Sequence, residues 1–270
     1  MTAAREPWHS TGAVAVITGA GGLLGRGLAL TCARAGMDIV VSDIAGEAAE
    51  RVAAEGRGLG RKAVAVTTDV ADPGAVEQLA EAAYATFGKV NLLCNNAGIA
   101  LMKRYEDFSV DDWRRVLDIN LMGVIHGIHS FLPRMKAQGG PRHIVNVSSM
   151  SGVGLASLRP MNAIYVTAKF AVVGLTETLA PILAEEGIGV SVLCPGMTVA
   201  DPRQLMTNPM ASAKWYRDNL LDAFQVAEET LRAIERNSLH VFPHRAGLEE
   251  LNQRHALLMA SYQQGADTRP

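Results

Sequence analysis

Tyr165 and Lys169 stand four residues apart in a run with helical periodicity, so both side chains project from one helix face. A phenol has an ordinary pKa of about 10 and is a poor base. An ammonium within reach favours the phenolate and lowers that value by roughly 1–3 units. The pair can then take a proton from a hydroxyl while hydride leaves the same carbon. Such spacing is common by chance, so its meaning depends on what lies near it.

Three groups of polar residues fall at the ends of apolar runs. They are Asn95-Asn96-Ala97-Gly98, Asn146-Val147-Ser148-Ser149 and Pro195-Gly196-Met197-Thr198. Asn120 lies in an apolar helical stretch, where a buried amide requires hydrogen-bond partners. Near the start, Thr18-Gly19-Ala20-Gly21-Gly22-Leu23-Leu24-Gly25-Arg26-Gly27 separates an apolar run from a helical pattern. Glycines there let the backbone turn tightly and approach a pyrophosphate, and a helix N-terminus offers it N–H groups and a positive dipole end. Asp43 closes the next apolar run, about 20 residues on, where a carboxylate accepts hydrogen bonds from both ribose hydroxyls and repels a 2′-phosphate. Neither Ile44 nor Ala45 is basic, and Ala20 to Leu24 contain no base, so the expected cofactor is NAD and not NADP. Asp69-Val70 falls where the adenine edge would lie.

The elements that position these residues follow from periodicity. Continuous apolar runs at 13–18, 38–42, 63–67, 90–94, 143–147, 189–194 and 239–242 read as parallel strands covered on both faces. Helical patterns near 25–35, 46–58, 74–87, 109–136, 162–185, 226–236 and 246–262 alternate with them. Ser109 with Asp112 forms a capping box opening the fourth, and Gly187 stops the fifth. The expected fold is α/β, a Rossmann-like doubly wound parallel sheet of about seven strands with helices on both faces, in one domain. Residues 1–10 read as a tail, and 197–224, without a clear period, as a substrate loop or lid.

Composition excludes several classes. At 270 residues, 49% hydrophobic and 19% charged, the chain can bury a large core, and a net charge of -2 without charge blocks gives no footprint for nucleic acid. Cys32, Cys94 and Cys194 are scattered in or beside apolar runs, and no cysteine–histidine spacing suits a metal, so no metal is expected. His126 and His129 read as packing or interface residues. The N-terminus lacks a signal-peptide pattern and no stretch reads as a membrane span, which points to a cytoplasmic protein.

Taken together and in order, these motifs resemble the classical short-chain dehydrogenase/reductase family over about residues 11–245. The resemblance rests on Thr18–Gly27, Asp69-Val70, Asn95–Gly98, Asn120, Ser149, Tyr165 with Lys169, and Pro195-Gly196. It implies that Tyr165 is the acid/base, that Ser149 polarises the substrate oxygen and that Lys169 binds the nicotinamide ribose and tunes Tyr165. It also implies that Asn120 holds a water linking Lys169 to solvent. Gly19, Gly21, Gly22, Leu23, Leu24, Gly25, Asp43, Ile44, Asp69, Val70, Asn96, Ala97, Gly98, Tyr165, Lys169, Pro195, Gly196 and Thr198 are the cofactor residues by the same reasoning. Three departures stand out. Leu23 replaces the family's glycine two positions before Gly25. Thr198 comes two positions early for the usual nicotinamide-contacting threonine. Ser149 lies farther ahead of Tyr165 than usual, with 158–162 as the extra stretch and Ser151 as an alternative to Ser149.

The candidate substrate wall is Ser149, Ser151, Met102, Leu155, Met197 and Met206, with Met150, Leu205, Trp215 or Tyr216 beside them. Its apolar, methionine-rich character suits a bulky secondary alcohol or ketone: aromatic, terpenoid or steroid-like. The Val241–Arg245 tail is similar to that of dehydrogenases of lignin-derived aromatic alcohols. The apolar helices at 109–136 and 162–185 are expected to pair subunits into a homotetramer or homodimer, as in the family. Two other readings stay open on sequence alone: an NAD-retaining epimerase or dehydratase on this scaffold, and a non-catalytic nucleotide-sensing protein.

Overall fold

The computed structural model describes residues 12–154, 160–199, 220–244 and 247–267. Seven strands form one sheet: β1 (Val14–Thr18), β2 (Asp38–Asp43), β3 (Ala63–Thr67), β4 (Leu92–Asn95), β5 (Arg142–Val147), β6 (Ile188–Leu193) and β7 (His240–Val241). Their order is β3-β2-β1-β4-β5-β6-β7, and every pairing is parallel. The sheet is thus Rossmann-like, as the unbroken apolar runs predict.

Alternate residues of one strand feed two separate cores. Ile17 of β1 packs with α1 (Leu23–Arg34), α2 (Gly46–Gly58) and α7 (Ala223–Glu235) on one face. Val14 and Val16 pack on the other with α3 (Pro73–Phe87), α5 (Gly123–Gln138) and α6 (Ala163–Ala184). Fully buried side chains such as Leu28, Leu79 and Leu92 each contribute about 2 kcal/mol of apolar burial. Cys32, Cys94 and Cys194 are buried thiols within these cores, as expected.

Local signals set the helix ends. Ser109 Oγ accepts from Asp112 N–H at 3.1 Å and Asp112 Oδ2 accepts from Ser109 N–H at 2.9 Å, the capping box that opens α4 (Val110–Leu117). Gly187, at φ +70°, follows the end of α6. The helix expected over 109–136 is present from Val110 to Gln138, with a π turn, Asp118–Met122, where α4 passes into α5. Asn120 sits in that turn. Such turns arise from tertiary contacts and collect at functional sites.

Among the described residues one helix, α6, meets the length and composition of a membrane-crossing segment, with mean hydropathy 1.4. That apolarity has a packing cause, because Ile164, Val166, Val172 and Val173 are buried in the core. The tail 1–10 and most of the 197–224 segment lie outside the described residues. What is described of the latter is a two-residue parallel pair, Thr198–Val199 with Leu221–Asp222, which brings its two ends together. The C-terminal helix α8 (Leu248–Asp267) completes the described chain.

Candidate active site

The strand order reverses between β1 and β4, and ligands bind such sheets in the crevice beyond the carboxyl ends at that point. There the structure has a cavity of about 540 Å³. Its wall includes Gly19, Gly22, Leu23, Leu24, Gly25, Asp43, Ile44, Asp69, Val70, Asn96, Ala97, Gly98, Tyr165, Lys169, Pro195, Gly196 and Thr198. All but one of the cofactor residues expected from the sequence therefore converge on one cleft.

The exception is Gly21, whose N–H donates to Asp43 Oδ2 at 2.9 Å. The glycine thus ties the loop to the end of β2. Asp43 Oδ1 accepts from Ala45 N–H at 2.9 Å, so the carboxylate is held rigidly in the cleft wall. Gly19 and Gly25 are required by close approach. A Cβ on Gly25 would lie 2.3 Å from Gly19 O, and one on Gly19, at φ +62°, would lie 2.7 Å from Ala97 Cα. Gly22 precedes α1, no side chain caps that end, and Leu23, Leu24 and Gly25 of its first turn line the cleft. This is a cradle for a pyrophosphate-sized anion.

Thr18, which sequence reasoning took only as part of the loop, is a hinge of this cradle. Its Oγ1 accepts from the N–H groups of Asn96 and Ala97 at 3.0 and 3.1 Å. Asn96 Nδ2 returns a bond to Thr18 O at 2.8 Å. Thr68, Ile99, Ala100, Ile119, Val147 and Ser148 also line the cleft and were missed. They are neighbours of the recognised residues, and only the fold places them there.

Tyr165 and Lys169 share one face of α6, as their spacing predicts. The Lys169 Nζ lies 5.5 Å from the centre of the Tyr165 ring and donates to Val147 O at 2.7 Å. Lys169 is only 3% exposed, and burial pulls its pKa from the ordinary 10.5 down to about 8. Burial raises the pKa of Tyr165, and a hydrogen bond with Ser149 opposes that rise. The expected lowering of Tyr165 by Lys169 is thus corrected for the chain alone. Desolvation raises the phenol and lowers the ammonium, which donates to the Val147 carbonyl.

Between the two serines, the geometry favours Ser149. Its hydroxyl is the one close enough to Tyr165 to act on the phenol, whereas Ser151 donates its main-chain N–H to Ser149 Oγ at 3.0 Å. Asn120 is fully buried; its Oδ1 accepts from Ile99 N–H and its Nδ2 donates to Ile99 O, both at 2.8 Å. Its side chain therefore fixes the main chain following Gly98. A Cβ at Gly98 would lie 3.3 Å from Asn120 Oδ1 and 3.5 Å from Lys169 Nζ, so the three residues meet. Asn95 and Asn146 lie behind the cleft, linked by a 2.9 Å bond from Asn95 Nδ2 to Asn146 Oδ1, and stiffen the strand ends.

The substrate wall is described in part. Met102 and Met197 are exposed, at 64% and 46%, and Met197 stands between the cleft residues Gly196 and Thr198. Met150 is buried at 8%, which makes it a supporting residue and not an open wall. Leu155, Leu205, Met206, Trp215 and Tyr216 lie outside the described residues. His126 Nδ1 bonds Val70 O at 2.9 Å, the packing role expected of it. No group of three or more metal-ligating side chains occurs among the described residues.

The sequence model of short chain dehydrogenases matches residues 13–210. The chain is 40% identical to a cyclohexanol dehydrogenase of Acinetobacter sp. (strain SE19), over 68% of this chain and 72% of that one. It is 35% identical to the C alpha-dehydrogenase of Sphingobium sp. (strain NBRC 103272 / SYK-6), over 88% and 83%. The crystal structure of a short chain dehydrogenase/reductase from Burkholderia phymatum in complex with NAD superposes with a TM-score of 0.83. It has 35% identity and covers 93% of this chain and 95% of that one.

Proposed function

The chain belongs to the short-chain dehydrogenase family, oxidoreductases acting on hydroxyl substrates, and on that premise we propose that it oxidises a bulky hydrophobic secondary alcohol, or reduces its ketone, with NAD. The observation that carries this reading is the meeting of Tyr165 and Lys169 at the wall of a cleft that also holds an anion cradle and a fixed carboxylate, with Ser149 close to Tyr165.

The residues present suit NAD. The glycine cradle and the bare first turn of α1 would hold its pyrophosphate, and Asp43 its adenosine ribose. Asp43 is anionic and both its oxygens already accept main-chain bonds, so a 2′-phosphate there would meet uncompensated negative charge. Arg26, the base next along α1, is taken up by an ion pair with Glu55. When bound, the nicotinamide supplies the hydride chemistry.

The chain's own residues handle the proton. Tyr165, as the phenolate, removes the hydroxyl proton while the C–H electron pair leaves the same carbon, and C=O forms. Ser149 Oγ–H donates to the substrate oxygen and holds it against Tyr165. Lys169, protonated, steadies the phenolate by its charge; Asn120 fixes the main chain beside it and the water that leads from Lys169 to solvent. Exposed Met102 and Met197 favour an apolar substrate, in keeping with the cyclohexanol dehydrogenase relative. Buried, unpaired thiols suit a cytoplasmic protein, and exposed apolar residues such as Ile182 on α6 suit pairing of that helix in a homotetramer.

A panel of cyclic, aryl and steroid-like secondary alcohols, with NAD and with NADP, tests the proposal. Reduction of NAD by several of them, and little with NADP, is the expected result. Turnover confined to small polar sugars or hydroxy acids would contradict it.

A further inference from the structure

His244 is remote from Tyr165 in sequence and falls only in the Val241–Arg245 tail, yet it touches the cleft wall at Gly196. It is 7% exposed, just past β7. Its Nδ1 accepts from Gly196 N–H at 3.0 Å, and its Nε2 lies 3.3 Å from Met197 O. A ring that accepts at Nδ1 carries its proton on Nε2, so the second contact is a donation to Met197 O. One neutral imidazole thus holds the N–H of Gly196 and the C=O of Met197, on either side of the peptide unit that joins them. Burial keeps the ring in that form, moving its pKa below the ordinary 6.5. Gly196 fits against the flat ring, and a Cβ on it would lie 3.1 Å from ring carbons.

The held segment is joined to the catalytic turn. Met150 N–H, next to Ser149, donates to Pro195 O at 2.9 Å. The same C-terminal stretch presses on that turn a second time. Gly247, at φ +108°, lies so near Met150 that a Cβ would fall 2.3 Å from Met150 Cε. Leu251 packs against the core cluster that includes Met150 and shares a cavity wall with Val153, and Arg254 stacks 4.9 Å over Phe170.

We propose that His244 is a positioning residue: through Gly196 and Met197 it sets the Pro195–Thr198 wall, and through Pro195 the turn that carries Ser149. The inference rests on the reading of the cleft as a dehydrogenase site. Loss of the clamp lets the wall and Ser149 drift, and a misplacement of about 1 Å costs up to a hundredfold in rate. Affinity for NAD is carried mostly by the glycine cradle and Asp43, which His244 does not touch.

His244→Leu fills the space without either bond, while His244→Asn keeps an acceptor near the Nδ1 position. His244→Leu is expected to lower kcat by about tenfold or more and to change the Kd for NAD by less than about threefold, with His244→Asn recovering most of kcat. Hydrogen exchange of the cofactor-free protein reads the clamp without turnover. The Gly196 amide should exchange at least about tenfold faster in His244→Leu, slowly in His244→Asn, with β1 amides unchanged in both. An unchanged Gly196 amide in His244→Leu, or equal losses of kcat in the two variants, would overturn the inference. A wild-type protein inactive on every alcohol, with the exchange contrast intact, refutes the dehydrogenase reading and leaves the clamp supported.

Discussion

Replacing Lys169 with methionine should make the cofactor-free protein more stable while abolishing its activity. The lysine is 3% exposed and its ammonium makes one main-chain bond, to Val147 O at 2.7 Å. Burial lowers its pKa from 10.5 to about 8, so folding the protonated side chain costs about 3 kcal/mol relative to a lysine in water. Methionine keeps the stem and removes the charge, but leaves the Val147 carbonyl without its donor, a loss of about 1 kcal/mol. The net expectation is a gain of about 2 kcal/mol at neutral pH, or about 4–8 °C in Tm for a chain of this size. The sign follows from linkage. Below about pH 8 both folded and unfolded lysines are protonated and the cost is fully present. Between about 8 and 10.5 the folded lysine sheds its proton first, the unfolded state binds more protons, and the wild type gains stability with pH. The advantage of Lys169→Met should therefore shrink towards zero by about pH 9.5. Urea unfolding of both proteins without cofactor, at neutral pH and near pH 9.5, measures it. A variant less stable than wild type at neutral pH would refute the reasoning, because the ammonium would then be better solvated in the fold than its burial indicates.

Three further outcomes are expected. Asp43→Asn, which removes the charge but keeps an acceptor for the loop, should cut the NAD over NADP preference in kcat/KM by about tenfold or more; an unchanged ratio would show that Asp43 does not discriminate. Gly25→Ala should abolish detectable NAD binding in calorimetry, since its Cβ would meet Gly19 O at 2.3 Å and Ala20 Cα at 2.7 Å. Gly22→Ala, whose nearest contact is 3.3 Å, should bind within about tenfold of wild type. Burial raises the pKa of Tyr165, so the phenolate fraction grows as pH rises; alcohol oxidation should accelerate towards alkaline pH, and ketone reduction should stay level near neutrality and fall there. An oxidation rate that falls with alkaline pH would count against Tyr165 as the base.

Much of the site was legible because it depends on local spacing. Tyr165 and Lys169 share a face because four residues make a helical turn, and the strands announce themselves because both faces of each are covered. What sequence did not carry is what long-range contact decides. The π turn at Asp118–Met122 goes with Asn120 clasping both main-chain groups of Ile99, and no local pattern encodes it. The direction of the Tyr165 shift turned on how deeply both groups are buried, which spacing cannot tell. Met150 sits among residues that read as a substrate wall, but Gly247 covers it from the C-terminal stretch. His244 was visible only as part of a tail motif; its contacts with Gly196 and Met197 cross 48 and 47 residues.

The most direct test of the account is alcohol oxidation with NAD by the wild type and by Tyr165→Phe, with the best substrate of the hydrophobic panel. Phenylalanine keeps the ring beneath which Lys169 lies and removes only the oxygen that takes the proton. The account predicts undiminished NAD binding and a kcat lower by about a hundredfold or more in the variant. Turnover at the wild-type rate in Tyr165→Phe would contradict it.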